Sequence, residues 1–354
     1  MNIKKYIPSF LKRPLIIVYI TARCILRGTG SKNIVLNMAG VLPPIGSAKI
    51  VHGGKVKLLY LREKFGESWK NFNVSYFASS GLPFASEWWI RIYKLFGIKV
   101  VWNQNGVAYP ALYPKNIVEN INALMRPIHL ADYVVYQTEF TKRCADKYLG
   151  AFNGPSSIMI NPVDTERFVP RSTPLPEEPL IIMMLGNHLE SELRLTLALQ
   201  AIQKLRDNGA NIILNIIGQS DREFSETWVH KQGAYLQKDA PILFQSAHIF
   251  LHLKYLDPCP TTVEEALSCG LPVIGIKNGG MPELVDEQSG VLIPVVEDFE
   301  KLHYPSVDEV VEAIEKVRLK YSEYRKNARE GAVKKFDSRN WLDKHEHIFK
   351  NLCR

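Results

Sequence analysis

Two carboxylates separated by seven residues, Asp257 and Glu265, frame the part of this sequence that is richest in residues able to do chemistry. Two prolines lie between them, and Thr261 and Thr262 follow the second proline. Apolar residues then recur at helical spacing until Gly270. This pattern predicts a short helix that begins near the two threonines and ends at the glycine.

The predicted helix start suits a phosphate and a sugar. The first amide N–H groups of a helix have no partner within it and lie at the positive end of its dipole, so Thr261 and Thr262 can bind an anion. Glu265, one turn further on, can accept hydrogen bonds from a vicinal diol such as a ribose. With Asp257 on the other side, the stretch is typical of a site for a sugar nucleotide.

The residues after this helix predict the kind of fold that holds it. Residues 271–276 are apolar and rich in β-branched side chains, which predicts a short buried strand. Gly279 and Gly280 then form a turn that opens another short helix from Pro282. Helix, buried strand and helix is the repeating unit of a parallel α/β domain.

The same stretch resembles the donor-binding signature of retaining glycosyltransferase family 4. The family pattern is Glu, seven residues, Glu-Ala, then a small residue with Cys or Ser and Gly, Pro-Val-Val and Gly-Gly-x-x-Glu. This sequence matches it with Asp257, Glu265-Ala266, Ser268-Cys269-Gly270, Pro272-Val273-Ile274 and Gly279-Gly280-Met281-Pro282-Glu283. The departure is Asp257, which keeps the charge of the family's first Glu on a side chain one methylene shorter.

The resemblance implies two Rossmann-like, doubly wound α/β domains that face a cleft, the GT-B fold, with a C-terminal helix that crosses back to the first domain. It implies retaining transfer of a sugar from a nucleoside diphosphate to a hydroxyl, with no metal ion or other cofactor. In such a site Asp257 contacts the donor sugar, Glu265 the ribose, and the amides of Thr261 and Thr262 the diphosphate. No protein nucleophile is needed, because the leaving phosphate can take the acceptor proton.

Loops that carry glycine or amide side chains are further candidates for donor binding. The Gly279-Gly280 turn belongs to the signature, and the resemblance places Gly53 and Gly54, from the opposite domain, against the diphosphate. Asn105 follows a predicted strand, and the carboxyl ends of parallel strands are where α/β sheets bind ligands. An ordinary Gly-Gly turn and an ordinary Asn-Gly turn are the alternatives.

The second domain is also expected to supply cations. Gly186 and Gly218 end two of its predicted strands, and many family members continue the first of these with Gly-Arg and a later Lys that together neutralise the diphosphate. This sequence has Asn187 in place of the Arg, which leaves Arg194 as the candidate catalytic cation. If Arg194 points to solvent, Lys254 and the helix-start amides must stabilise the leaving group.

The length of 354 residues exceeds the usual size of a single core, so two domains are expected. A run rich in Pro and Glu at residues 171–179 is typical of a linker between them. The predicted parts are an N-terminal arm at 1–32, a first domain at 33–170, this linker, a second, nucleotide-sugar-binding domain at 180–336 and a C-terminal helix at 337–354.

The N-terminal arm is strongly basic. Residues 1–32 hold seven Lys and Arg residues and no Asp or Glu, in a chain of formal net charge +8. The apolar run within the arm is shorter than the roughly 20 residues of a membrane-spanning helix, and the features of a cleaved signal peptide are missing. Two readings stay open: an arm that lies on an anionic membrane, and an extension docked on the first domain. No motif points to nucleic acid.

Composition narrows the cellular setting. Five scattered cysteines without metal-ligand spacing favour a reduced, cytoplasmic compartment and predict no metal site. We therefore expect a cytoplasmic enzyme, free or on the inner face of the cell membrane. Its predicted partners are a UDP- or GDP-linked sugar and a glycan or lipid-linked glycan acceptor, in cell-envelope polysaccharide or glycolipid synthesis. A weakly active nucleotide-sugar-binding scaffold and a GT-B epimerase or phosphorylase are the competing hypotheses.

Overall fold

The protein folds into two parallel α/β units that meet along a cleft. The computed structural model describes residues 9–28, 31, 33–39, 41–43, 53–186, 193–219 and 222–354.

The first unit contains a sheet of five parallel strands that lie side by side in chain order. The strands are β1 (Leu36–Asn37), β2 (Val74–Ala78), β3 (Lys99–Gln104), β4 (Tyr133–Tyr136) and β5 (Ser156–Ile158). β2 is buried along its whole length, as a central parallel strand must be. Gln104 pairs with Tyr136 where β3 and β4 end, so the residues that follow these strands lie next to each other at one edge.

The helices of the first unit are α1 (Ser9–Leu26), α2 (Val56–Phe65), α3 (Ser86–Leu95), α4 (Lys115–Met125) and α5 (Glu139–Leu149). α1 lies within the basic arm and packs on α3, with Ile20 and Cys24 buried in the first core. Arg27 attaches the end of this helix to the first unit, because its guanidinium donates to the carbonyls of Phe72 and Phe96 at 2.6 and 2.9 Å. The described part of the arm is therefore docked on the first domain.

The second unit contains six parallel strands. They are β6 (Leu180–Leu185), β7 (Ile212–Ile217), β8 (Val229–Gln232), β9 (Ile249–His252), β10 (Val273–Ile276) and β11 (Gly290–Ile293). Their spatial order is β11-β10-β9-β6-β7-β8, so the direction of winding reverses at β6. In a doubly wound sheet such a reversal opens a crevice at the carboxyl ends of the strands, where ligands bind.

The helices of the second unit are α6 (Leu193–Asp207), α7 (Ala240–Phe244), α8 (Thr261–Ser268), α9 (Met281–Leu284), α10 (Val307–Leu319) and α11 (Tyr321–Phe336). α8 begins at the predicted threonine. α10 begins with a capping box, since the side chains of Ser306 and Glu309 each accept a hydrogen bond from the backbone amide of the other. Among the residues described, no helix is both long enough and apolar enough to cross a bilayer.

The last helix, α12 (Ser338–Cys353), crosses back to the first unit, as the GT-B fold requires. Trp341 and Phe349 are buried in the core that β1, β2 and α2 form. Asp337 is its capping residue, and the Asp337 carboxylate accepts a hydrogen bond from the amide of Arg339.

The chain passes between the two units twice, and the two crossings pair with each other. The amide of Val163 donates to the carbonyl of Phe336 at 2.8 Å, and the amide of Ser338 donates to the carbonyl of Val163 at 2.9 Å. The two crossings are therefore joined to each other by a short parallel bridge between Val163 and Asp337.

Candidate active site

The loops that follow the strands of both sheets meet in the cleft. Gly106, after β3, lies against Pro258, and the hydroxyl of Thr138, after β4, donates to the carbonyl of Pro258 at 2.9 Å. Gly186 and Gly218 follow β6 and β7, which pair in register to their ends. The predicted donor-binding residues of the second domain therefore lie at the carboxyl edge of its sheet. Asn187 lies outside the described residues.

The start of α8 is open to an anion. Pro260 precedes it with extended backbone and offers no side-chain cap. Among the residues described, the amides of Thr261 and Thr262 find no acceptor. Both threonines are half-buried. Two N–H groups at the positive end of a helix are thus available to an anion, and their contact with a phosphate stays a prediction.

Glu265 points into the cleft and is only 4% exposed. Its Oε1 accepts a hydrogen bond from Gln237 Nε2 at 2.9 Å, and no hydrogen bond from a described residue reaches its Oε2. Burial raises the pKa of this carboxyl to about 7, despite the hydrogen bond from Gln237 and the nearby charge of Arg167, which lower it. The side chain therefore keeps acceptor capacity for a ligand and titrates near neutral pH.

Asp257 is also buried, but two neighbours keep it ionised. Its Oδ2 lies 3.3 Å from His252 Nε2 and 3.3 Å from Lys254 Nζ. Burial alone would raise the pKa of this carboxyl, yet the Lys254 ammonium and the His252 ring hold it well below its usual range. Lys254, the alternative cation for the phosphate, is thus an ion-pair partner of Asp257.

Arg194 lies in the first turn of α6 and is 6% exposed. The alternative in which this arginine points to solvent is therefore wrong. A buried guanidinium close after β6 lies on the side of the domain where the donor is expected, and its contact with the diphosphate stays a prediction.

The Gly53-Gly54 turn leads into α2 and brings the backbone close to Asn105. A Cβ atom on Gly54 would lie 1.9 Å from Asn105 Nδ2, so a larger residue there would displace the Asn105 amide. The Asn105 side chain is bonded within the protein: its Oδ1 accepts from Lys57 Nζ at 2.9 Å, and its Nδ2 donates to Ser80 Oγ at 2.5 Å. Asn105 thus positions a lysine, and its predicted contact with the sugar is untested.

Lys57 itself is a cleft residue that the sequence analysis missed. It lies on α2 and is only 3% exposed, and its Nζ also donates to Asn161 Oδ1 at 2.9 Å. The signal in the sequence was weak, because a lysine shortly after a Gly-Gly turn is ordinary on a helix surface. A narrow crevice beside it is lined by Gly54, Val56, Lys57, Asn161, Pro162 and Thr261.

Glu283 is a second residue whose place the sequence did not reveal. It is the last residue of the Gly-Gly-x-x-Glu pattern, and its carboxylate accepts from the amides of Glu139 and Phe140 at 2.8 and 3.0 Å. These amides begin α5, so a side chain of the second domain caps a helix of the first. Gly280 permits the close approach of this loop, since a Cβ there would lie 2.0 Å from the carbonyl oxygen of Pro258.

Comparison with known proteins identifies the second domain. Residues 165–335 match the family model of group 1 glycosyl transferases. The match contains the whole second sheet together with both carboxylates and the start of α8. Most of the second domain thus matches the model of this family.

A curated relative matches part of the chain, and several solved structures share its fold. Escherichia coli (strain K12) WcaL, named for glycosyl transfer in colanic acid biosynthesis, is 27% identical over 37% of this chain and 36% of its own length. The match thus spans about a third of that relative. Sucrose-phosphate synthase of Thermosynechococcus elongatus aligns with a TM-score of 0.64 at 14% identity, covering 96% of this chain and 93% of its own. HepE of Anabaena, solved with UDP, aligns with a TM-score of 0.65 at 12% identity, covering 91% of this chain and 100% of its own. The chain has the GT-B fold.

Proposed function

We propose that this protein transfers a sugar, with retention, from a UDP- or GDP-linked donor to a hydroxyl group. The observation that carries the proposal is the uncapped start of α8 between two buried carboxylates, in the cleft of a group 1 glycosyltransferase domain. Solved GT-B proteins bind such ligands, since HepE was crystallised with UDP and with UDP-glucose.

Each polar group has a role in this reaction. Glu265 accepts hydrogen bonds from the ribose, the amides of Thr261 and Thr262 hold the diphosphate, and Asp257 accepts a hydrogen bond from a donor sugar hydroxyl. The bond between the anomeric carbon and the β-phosphate oxygen breaks, and the acceptor oxygen bonds to the same face of that carbon. The acceptor proton passes to the leaving phosphate, so no side chain acts as nucleophile or base.

Charge develops on the leaving diphosphate during this step, and positioned donors in a cleft that excludes water stabilise it. Arg194 is the expected cation of the second domain, because it is buried close after β6. We expect the reaction to need no metal ion, since amides and basic side chains take over that role. Activity that survives a strong chelator checks this point.

Titration calorimetry with UDP and GDP, followed by assays with a panel of sugar nucleotides, tests the function. We expect binding of one of the two diphosphates and transfer or slow hydrolysis of one donor. Binding without turnover of any donor would favour the scaffold hypothesis, and formation of a sugar phosphate or an epimerised donor would favour the phosphorylase or epimerase. Absence of binding by both diphosphates would overturn the proposal.

The acceptor is proposed to be a glycan or lipid-linked glycan of the cell envelope, at the cytoplasmic face of the membrane. α1 supports this location. It carries no acidic residue, and its outer side exposes Val18 by 66%, Ile25 by 66% and Leu26 by 77%. α3, which packs beside it, exposes Leu95 by 84%. Apolar side chains on a basic helix are typical of contact with an anionic bilayer.

A further inference from the structure

A lysine is held inside the cleft by the first domain. Lys57 Nζ donates to Asn105 Oδ1 and to Asn161 Oδ1, each at 2.9 Å. The amide of Asn161 is fixed in its turn, because its Oδ1 accepts from Gln137 Nε2 at 2.6 Å and its Nδ2 donates to the carbonyl of Cys259 at 3.1 Å. Three amide side chains thus set the position of a single amine, and this is the kind of supporting shell that precise positioning requires.

The amine lies between two features that suit a phosphate. It lines the crevice whose other walls include Gly54, at the turn before α2, and Thr261, at the open start of α8. The two features come from opposite domains. Asn161 Nδ2 also lies 3.4 Å from Thr261 Oγ1, so the lysine and the helix start belong to one bonded cluster.

A buried carboxyl group faces the same place from the second domain. Glu264 is fully buried, its Oε1 accepts from the Cys259 thiol at 3.0 Å, and its Oε2 has no partner among the described residues. Burial raises the pKa of Glu264 well above its usual range, although the Cys259 thiol and the Lys57 charge lower it. The second domain therefore places beside the lysine a carboxyl group whose neutral form burial favours.

We propose that Lys57 is the cation of the first domain that contacts the donor diphosphate and stabilises it as it leaves. This inference rests on the proposed function, and it assigns to the cleft a positive group that the second-domain signature does not contain. Lys57 is only 3% exposed in a crevice lined by both domains, so access of the diphosphate to it requires the domains to separate. Lys57 thus complements Arg194 from the opposite wall.

Binding of the diphosphate should change the charge of Lys57. Burial lowers the pKa of this amine to about 7, while Cys259 and Glu264 from the second domain raise it. The imidazole of His345 on α12 also faces it, and burial lowers the pKa of that ring to about 3, so the ring carries no charge near neutral pH. A diphosphate favours the ammonium form, so binding above pH 7 should draw a proton from solution.

The first experiment compares ligands with and without phosphates. Calorimetry measures UDP and uridine, or GDP and guanosine, on wild type, on Lys57→Met and on Lys70→Met, whose lysine is exposed on the same domain. We expect Lys57→Met to weaken diphosphate binding at least about tenfold and nucleoside binding less than about twofold. Lys70→Met should match wild type. Unchanged diphosphate affinity in Lys57→Met would overturn the inference and leave the proposed function standing.

The second experiment needs only the wild-type protein. Diphosphate binding at pH 8, measured in buffers of different ionisation enthalpy, reports the protons exchanged. We expect net uptake of about one proton per diphosphate bound and none for the nucleoside. Diphosphate binding with no proton uptake would count against Lys57. Failure of the wild type to bind both diphosphates would remove the proposed function and this inference with it.

Discussion

Three carboxyl groups lie within nine residues of chain, and their surroundings give each a different charge state. Asp257 is ionised because Lys254 and His252 lie beside it. Burial raises the pKa of Glu264 well above its usual range and the pKa of Glu265 to about 7. At neutral pH the site therefore offers a fixed negative charge to the sugar and a titrating acceptor to the ribose. Between them lies a third carboxyl group, whose neutral form burial favours.

The titration of Glu265 leads to a prediction for nucleoside binding. An ionised carboxylate accepts hydrogen bonds from both ribose hydroxyls, and ionisation requires a pH above the pKa of about 7. We expect uridine or guanosine affinity to rise about fivefold between pH 6 and pH 8. Glu265→Gln should abolish this rise and Glu265→Ala should weaken binding at both pH values, as calorimetry can measure.

The control for Glu265 is Glu312→Gln, which changes an exposed carboxylate on α10 of the same domain. It should keep the pH dependence of the wild type. If nucleoside affinity rises equally with pH in Glu265→Gln, another group titrates. That result would contradict the proposal that Glu265 binds the ribose.

The starts of α8 and α5 lie where the two domains meet. α8 presents its open start to the cleft, whereas α5 has its start closed by Glu283 of the other domain. α5 is also capped by its own Thr138, whose hydroxyl accepts from the amide of Thr141. The Glu283 carboxylate therefore contributes to closure of the cleft as well as to the helix, since its partners lie across the domain boundary.

Removal of the cap should loosen the closed arrangement. Glu283→Gln leaves the amides of Glu139 and Phe140 with a neutral acceptor, and we expect a loss of about 1 kcal/mol in domain association. X-ray scattering should record a larger radius of gyration for the variant without ligand, and nucleotide affinity should fall several-fold. Glu287→Gln, an exposed change in the next loop, is the control. Equal radii for Glu283→Gln and wild type would contradict the role of the cap.

α1 gives an element-scale test of the membrane contact. Val18→Glu combined with Leu26→Glu places two charges on the exposed side of α1, whose core side holds Ile20 and Cys24. We expect the variant to fold normally and to lose most of its binding to vesicles that contain phosphatidylglycerol, measured by flotation. Leu319→Glu, at a residue 79% exposed on α10, is the matched control and should bind as wild type does. Full binding by the double variant would exclude α1 as the contact.

At the scale of the whole molecule, α12 joins the domains in a way that depends on one neutral histidine. His345 is fully buried, with its Nε2 3.0 Å from the Tyr76 hydroxyl and its Nδ1 2.9 Å from the carbonyl of Trp341. The carbonyl can only accept, so Nδ1 carries the proton and Nε2 accepts from Tyr76. A second proton on the ring would reverse the Tyr76 hydrogen bond, with Nε2 as the donor, and place a charge in the core.

Acid should therefore weaken the docking of α12. Burial lowers the pKa of His345 from 6.5 to about 3, so the unfolded chain binds the extra proton first as the pH falls below 6.5, and stability declines. We expect this residue to cost on the order of 2–3 kcal/mol between pH 7 and pH 4.5. Urea denaturation should show a smaller pH-dependent loss for His345→Asn than for wild type. An equal loss in both proteins would contradict the assignment.

The sequence by itself determined the parts whose cause is local. The prolines and the helical spacing around Thr261 placed the start of α8, and the spacing of Asp257 and Glu265 placed a carboxylate on each side of it. Alternation of buried strands and helices likewise predicted two parallel α/β units, because each strand and helix carries its own periodicity. The GT-B architecture followed from this alternation and from the resemblance of the second domain.

Only the tertiary structure decided which side chains share the cleft. Lys57 contacts Asn161, which is 104 residues away in sequence, and Glu283 contacts Phe140, which is 143 residues away. No local sequence pattern could predict either contact. The burial of Arg194 and the charge states of the carboxyl groups were equally hidden, because they depend on what surrounds each group after folding. Local spacing determines which groups a helix start can offer, whereas the approach of two domains determines the charge those groups carry.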